Sequence, residues 1–414
     1  MEDTANRSRT AWNPGRFLPR LMLFFFLLDL LLRFVPLDPL TFRAWEAMLR
    51  RYPNAEGPFT PNKHYHRDNS YGGVAAIGNL PALRHYHASD FTTDSFGFHN
   101  PPALAQPNPV GIVLGDSFAV GSELPEDQSL SAQLTHFCGA YFYNAGAAQP
   151  LRLRSVEAVA KRLGLVHGLV VYEFLESHAL TNPPAATPDG GLGWGQSLFL
   201  RVLGTSAADR WRIPLNQFHD SPLQGLSAKL EKQIQNNVLL PNSFADFVIQ
   251  EKLRNGESIV FLPAEFKFPR DPRRAAEQWS AYFSWYAGEL RKDGLDLVVL
   301  LVPNRSTIYA PLLAKPRDVS ASRATLIELS DSLRRKGVLT VPFLYRYEGD
   351  ARVLLDQNKY LYLLDDSHWN GDGTSVAASE VFSRLRESAT YPSTLSDTAI
   401  SAPKEQSSGS GPPH

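Results

Sequence analysis

Gly111-Ile112-Val113-Leu114-Gly115-Asp116-Ser117-Phe118-Ala119-Val120-Gly121 decides the fold. The run Val110 to Leu114 is apolar and β-branched, glycine breaks it, and a helix-like stretch follows around Leu130 to Phe137, so a strand, a tight turn and a helix are expected in that order. The alternation continues with a strand at Tyr141 to Tyr143, an Arg-, Ala- and Leu-rich helix at Leu151 to Leu163 and a strand at Leu169 to Tyr172. Further along, Ala275 to Leu290 reads as helix and Leu295 to Val302 as the most continuous apolar strand. Ala321 to Lys336 reads as helix, Val338 to Phe343 as strand and Thr374 to Arg386 as the final helix. Strands alternating with helices imply right-handed crossovers and an α/β domain built on a mostly parallel sheet covered on both faces. In such sheets, ligands bind beyond the carboxyl ends of the strands. The turn carrying Ser117 belongs there.

The 414 residues, 43% hydrophobic and 20% charged, exclude a wholly disordered or collagen-like chain. Lys and Arg number 41 against 42 Asp and Glu, leaving no basic surplus for a phosphate backbone, so nucleic acid is not an expected partner. Cys138 is the single cysteine; it forms no intramolecular disulfide and belongs in the core. Phe17 to Val35 is almost wholly apolar and near the length of a bilayer span, so residues 17–35 are expected to be a transmembrane anchor after a cytoplasmic tail at 1–16. Arg20, Asp29 and Arg33 interrupt the run, which leaves a signal peptide or an interfacial helix as other readings. Residues 36–95 read as a linker and small hairpin, 96–390 as the body, and 180–274 as an insertion with an amphipathic helix around Leu226 to Leu239. Residues 391–414, rich in Ser, Pro and Gly, read as a disordered tail.

Serine is a weak nucleophile at its own pKa and needs a base, usually a histidine oriented by a carboxylate. Leu363-Leu364-Asp365-Asp366-Ser367-His368-Trp369-Asn370-Gly371 offers such a pair on a loop expected at the same rim as Ser117. Asp366 would hold one imidazole nitrogen of His368 while the other takes the Ser117 proton. Each half alone is a common turn or surface loop; their order on this kind of fold joins them.

With Gly115-Asp116-Ser117-Phe118 matching the first block and Asp366-Ser367-His368 the last, the chain resembles the SGNH, or GDSL-like, serine hydrolase superfamily. The implied fold is a three-layer, flavodoxin-like parallel sheet. Leu301-Val302-Pro303-Asn304-Arg305-Ser306-Thr307-Ile308-Tyr309 and Asp366-Ser367-His368-Trp369 resemble the SGNH-like domains of bacterial alginate O-acetylation proteins. The resemblance implies an extracytoplasmic domain on the periplasmic side and an O-acyl transferase, acetyl being the expected group. Acylation would pass through an acyl-serine from an acyl donor to a polysaccharide acceptor, alongside other acetylation machinery. The family's second block is similar to Tyr143-Asn144-Ala145-Gly146-Ala147-Ala148-Gln149, which places its oxyanion donor at Gly146 or Gln149. Its third block calls for an asparagine, but Glu173-Phe174-Leu175-Glu176-Ser177 has none, leaving Ser177 or backbone groups. An ester hydrolase of the same fold and an inert polysaccharide-binding protein remain alternatives.

Asn304, Arg305 and Tyr309 leave a strand end and are candidates, with Trp369, for lining a substrate groove, although such residues also cap helices. His64 with His66 and His85 with His87 have the two-residue spacing that puts imidazoles on one strand face. A hairpin face is the expected reading rather than a metal site, so neither metal nor cofactor is called for. Asp366, Asn370 and Asp372 lack the spacing of a calcium loop. Trp279, Tyr282, Phe283, Trp285 and Tyr286 suit a buried helix face better than a sugar platform.

Overall fold

The described residues form nine strands and eleven α-helices. The structure is a computed structural model and describes residues 14–32, 43, 57–101, 108–147, 153–184 and 222–388. The expected tail at 391–414 and most of that at 1–16 lie outside these residues. The chain divides into two units, residues 1–41 with 203–238, and residues 42–202 with 239–414.

In the first unit, helix α1 (Pro14–Leu32) covers most of the expected membrane span. No helix among the described residues is long and apolar enough to cross a membrane, so the expected transmembrane anchor is not found. Arg16, Arg20 and Asp29 place three charged residues in its 19, which is costly at a bilayer centre. Phe17, Leu18, Met22 to Leu27, Leu30 and Leu31 are nevertheless exposed.

The second unit begins with an antiparallel hairpin of β1 (His64–Ser70) and β2 (His87–Thr92), between which lies a short helix, α2 (Gly73–Ile77). Next come β3 (Gly111–Leu114), the four-residue helix α3 (Ser117–Val120), α4 (Leu130–Cys138), β4 (Phe142–Asn144), α5 (Leu153–Arg162) and β5 (Gly168–Leu175). After α6 (Pro222–Asn237), which belongs to the first unit, β6 (Ile249–Lys252) and β7 (Ser258–Phe261) form a second antiparallel hairpin. The sequence reading placed that hairpin inside an illegible insertion.

The chain closes through α7 (Pro272–Lys292), β8 (Leu295–Val302), α8 (Arg305–Tyr309), α9 (Ser320–Arg335), β9 (Leu339–Val341), α10 (Leu344–Leu355) and α11 (Gly371–Glu387). Five strands form the central sheet in the order β4-β3-β5-β8-β9, all pairs parallel. This is the doubly wound order in which the first strand lies inside the second, and the crevice opens where the order reverses, beside β3. β3, β5 and β8 are buried almost end to end, as strands covered on both faces must be. On the α7 face, Trp279, Tyr282, Phe283 and Tyr286 are buried and Trp285 packs partly against the same core, with Phe283 edge-on to Tyr172 of β5.

Candidate active site

Ser117 opens α3 directly beyond β3, and the turn is shaped by its neighbours. Gly115 has a φ of 152°, and a Cβ there would come within 2.3 Å of Glu173 Oε2, so only glycine fits. Asp116 caps α3 by accepting the Phe118 N–H at 2.9 Å. Asn370 caps α11 by accepting the Gly373 N–H at 3.0 Å, which fixes the far end of the loop that carries Asp366 and His368.

The two loops meet. The Ser117 hydroxyl lies 2.8 Å from His368 Nε2, and His368 Nδ1 is hydrogen-bonded to Asp366 Oδ1. Asp366 also accepts the His368 backbone N–H at 3.1 Å. A carboxylate only accepts, so Nδ1 carries the proton and Nε2 is left to accept from serine. Burial pushes the Asp366 carboxyl up, but the charges of His368 and Arg43 and the hydrogen bonds from His368 and the Gly73 N–H outweigh it, holding it well below the usual carboxylate range. Burial lowers the His368 pKa, and the Asp366 charge and hydrogen bond more than reverse this, leaving it raised.

Trp369 joins the two halves. It is 1% exposed, donates Nε1–H to the Phe118 carbonyl at 3.2 Å, and packs edge-on against the Phe118 ring, which also contacts His368. It positions the nucleophile turn rather than lining a groove. Arg305 and Tyr309 likewise point inward. Arg305 is 1% exposed; its Nη1 donates to the carbonyls of Leu363, at 2.8 Å, and Asp366, and its Nη2 to Glu265 at 3.0 Å and to the Val260 carbonyl. Tyr309 is fully buried, its hydroxyl accepting the Leu361 N–H at 2.8 Å. Asn304 is buried, and its N–H donates to Glu176 at 2.9 Å. Arg305 holds the triad loop from behind instead of forming a substrate groove, because that loop offers a row of carbonyls that a buried guanidinium satisfies, and Tyr309 holds the chain just before it.

Around the nucleophile turn, the Gly146 N–H donates to Asn144 Oδ1 at 2.9 Å, and a Cβ at Gly146 would come 2.5 Å from Val120 N, so this glycine admits α3. Gln149 lies outside the described residues, and Ser177 is half-buried on the turn after β5. In the stretch Glu173 to Ser177, where the resemblance called for an asparagine and none stands, Glu173 lies beneath the turn and accepts the Asp116 N–H at 3.1 Å. Burial and the neighbouring Asp116 charge push its carboxyl well up, toward the neutral acid. His178, just after the third block and without a sequence signal of its own, also reaches the nucleophile turn, its Nε2 lying 3.0 Å from Asp116 Oδ2.

A carboxyl whose pKa is raised on folding stabilises the fold most below its unfolded pKa and loses that contribution as pH rises toward the folded value. Glu173→Gln keeps an acceptor for the Asp116 N–H without the titration. Its melting temperature is therefore expected to gain on wild type between pH 5 and pH 8, by a few °C in order of magnitude. Thermal unfolding at the two pH values checks this, and a gap that does not widen refutes it.

Three segments that the sequence reading kept apart converge behind the acid. Asp365 Oδ2 accepts the N–H groups of Gly72 and His85, both at 2.8 Å, and the Asp365 carbonyl accepts that of Ala75 at 3.0 Å. The Gly73 N–H donates to Asp366 Oδ2. From β7, the Val260 N–H donates to the Leu364 carbonyl at 3.1 Å. Arg43 pairs with Asp366 at 3.2 Å and with Glu123 at 3.4 Å. None of these contacts had a sequence signal except the His85-Tyr86-His87 echo, which was read as a hairpin face. On the other echo, His66 binds Asp90 at 2.7 Å and Asp68 at 2.9 Å, and no group of three or more metal-ligating side chains occurs among the described residues.

Residues 260–410 match the family ALGX, described as the SGNH hydrolase-like domain of acetyltransferase AlgX, which bears out the resemblance read from the sequence. The match takes in Asp366, His368 and the Asn304 to Tyr309 stretch and leaves Ser117 outside. No curated protein matches the chain.

Proposed function

We propose that this protein is an SGNH-type serine O-acyltransferase that moves an acyl group, acetyl in the first instance, onto a hydroxyl of an extracytoplasmic polysaccharide. The observation that carries the reading is the linear relay from Ser117 Oγ through the His368 imidazole to Asp366, with its outer hydrogen bond at 2.8 Å. In the first half-reaction Ser117 Oγ attacks the carbonyl carbon of an acyl ester while its proton passes to His368 Nε2; the C–O bond to the leaving alcohol then breaks and His368 returns the proton to that alcohol. In the second, His368 takes the proton of an acceptor hydroxyl, which attacks the acyl-serine carbonyl; the C–O bond to Ser117 breaks and His368 returns that proton to Ser117 Oγ. Asp366 keeps Nδ1 protonated throughout and stabilises the imidazolium that each half-reaction forms. The acetyltransferase description of the matched family supports acetyl as the group. The exposed apolar side chains of α1 support association with a membrane.

The test uses two separate samples of the full chain, one labelled with a serine-directed fluorophosphonate and the other, unlabelled, incubated with an acetyl ester and a polysaccharide acceptor. Covalent label on wild type that is lost in Ser117→Ala, with acetyl recovered on the polysaccharide, is the expected result. Acetyl recovered only as free acetate would make the protein a hydrolase. A folded wild type that takes no label and turns over no ester would leave a binding protein.

A further inference from the structure

Resting on the catalytic reading above, we propose that Arg43 is a positioning residue for the triad: its guanidinium, held between the buried carboxylates of Asp366 and Glu123, fixes the catalytic acid against the His368 ring. The active site would then include a residue that precedes the α/β body altogether.

Arg43 Nη2 lies 3.2 Å from Asp366 Oδ2 and Nε lies 3.4 Å from Glu123 Oε1. The two acid side chains are only 2% and 1% exposed, and Arg43 itself 13%. Two carboxylates buried side by side repel each other and pay for desolvation unless a cation lies between them, and a planar fork with separate donors suits that place better than an ammonium does. Division of labour at Asp366 is also clear. Arg43 and the Gly73 N–H hold Oδ2, so that Oδ1 is left to the His368 ring and backbone. A carboxylate pinned at one oxygen cannot rotate away from the imidazole.

Among the described residues, the charged groups facing His368 come from four places. Asp366 is on its own loop. Asp116 stands beside Ser117 and is paired with His178. Glu123 follows α3, with His87 Nε2 of β2 4.0 Å from its carboxylate. Arg43 comes from the N-terminal side. Besides the dominant burial and Asp366 effects, Glu123 raises the His368 pKa and Arg43 lowers it. Removing either should therefore move His368 in a direction fixed in advance, which a residue that merely supports the fold would not do.

The experiment follows the histidine directly, by two-dimensional NMR titration of the full chain labelled in histidine, with the His368 signal identified by its loss in His368→Ala. In Arg43→Met the His368 midpoint is expected to rise, and in Glu123→Gln to fall. The double variant should return close to wild type, and Arg43→Lys should stay nearer wild type than Arg43→Met. Midpoints that stay at the wild-type value, or that move in the same direction in both single variants, overturn the proposal. Should Arg43→Met fail to fold, Glu123→Gln decides alone, since an unchanged midpoint there removes the charge coupling. Fluorophosphonate labelling of wild type reports separately on the catalytic reading. Absence of label with midpoints moving as stated would sink that reading and leave the charge coupling standing.

Discussion

Asp366→Asn is expected to slow acylation of Ser117 by a factor on the order of 10⁴ while the protein stays folded. The carboxylate only accepts hydrogen bonds, and His368 is thereby kept in the tautomer whose Nε2 faces the serine hydroxyl at 2.8 Å. An amide in its place offers an NH₂ group to Nδ1, moves the ring proton to Nε2 and turns the base into a donor. The rate of fluorophosphonate labelling as a function of pH checks this. Wild type should lose labelling as pH falls through the raised His368 pKa, whose causes are burial, acting downward, and the Asp366 charge, acting upward and winning. Stability supplies a second readout. Asp366 is depressed on folding, so its contribution is present above the unfolded carboxyl pKa and is lost as pH falls through the folded value. The variant should therefore melt below wild type at pH 7, with the gap closing in acid. Labelling of Asp366→Asn at the wild-type rate would remove Asp366 from the relay.

The difference between what was legible and what was not lies in sequence distance. Ser117 and the Asp366-Ser367-His368 stretch announce themselves because each sits in a short loop after a strand-like run and because nucleophile, base and acid are a small set of residue types. The parallel sheet was legible for a similar reason: buried strands such as Leu295 to Val302 are continuous apolar runs between helical periods. Arg43 lies 323 positions before Asp366, and nothing in its own neighbourhood marks it as the partner of a buried acid. The hairpin at Ile249–Phe261 escaped because β6 is half-exposed and carries Gln250, Glu251 and Lys252, which removes the apolar signature of a core strand. At Arg305 and Tyr309 the residue types are legible in the sequence and their direction is not. A polar residue after a strand normally faces the crevice, yet here the triad loop folds over that strand end and presents carbonyls to it. Of the expected span at 17–35 the described part lies in α1, whose Arg16, Arg20 and Asp29 set three charges in 19 residues, and no helix among the described residues is long and apolar enough to cross a membrane.

Replacement of Arg305 by methionine should be the most destabilising single change in the catalytic domain that leaves the triad residues intact, costing about 3–5 kcal/mol. Its side chain is fully buried against Glu265 at 9% exposure, and stacks over the Phe261 ring at 4.9 Å. Methionine fills much of the volume but leaves the carbonyls of Val260, Leu363 and Asp366 without that donor and Glu265 without its cation. The pH dependence distinguishes the charge from the packing. Burial pushes the Glu265 carboxyl up and Arg305 pulls it part of the way back, so without Arg305 it rises further. Below the unfolded carboxyl pKa, Glu265 is protonated with or without its partner, and the charge part of the loss should vanish there. Urea unfolding of Arg305→Met and of Arg305→Met/Glu265→Gln at pH 4 and pH 7 tests both parts. The double variant should recover stability at pH 7 and gain little at pH 4. Because Arg305 holds the loop that presents Asp366, acylation should slow alongside the loss of stability. A variant as stable as wild type, defective only in KM for a polysaccharide acceptor, would move Arg305 out of the scaffold and into the substrate groove.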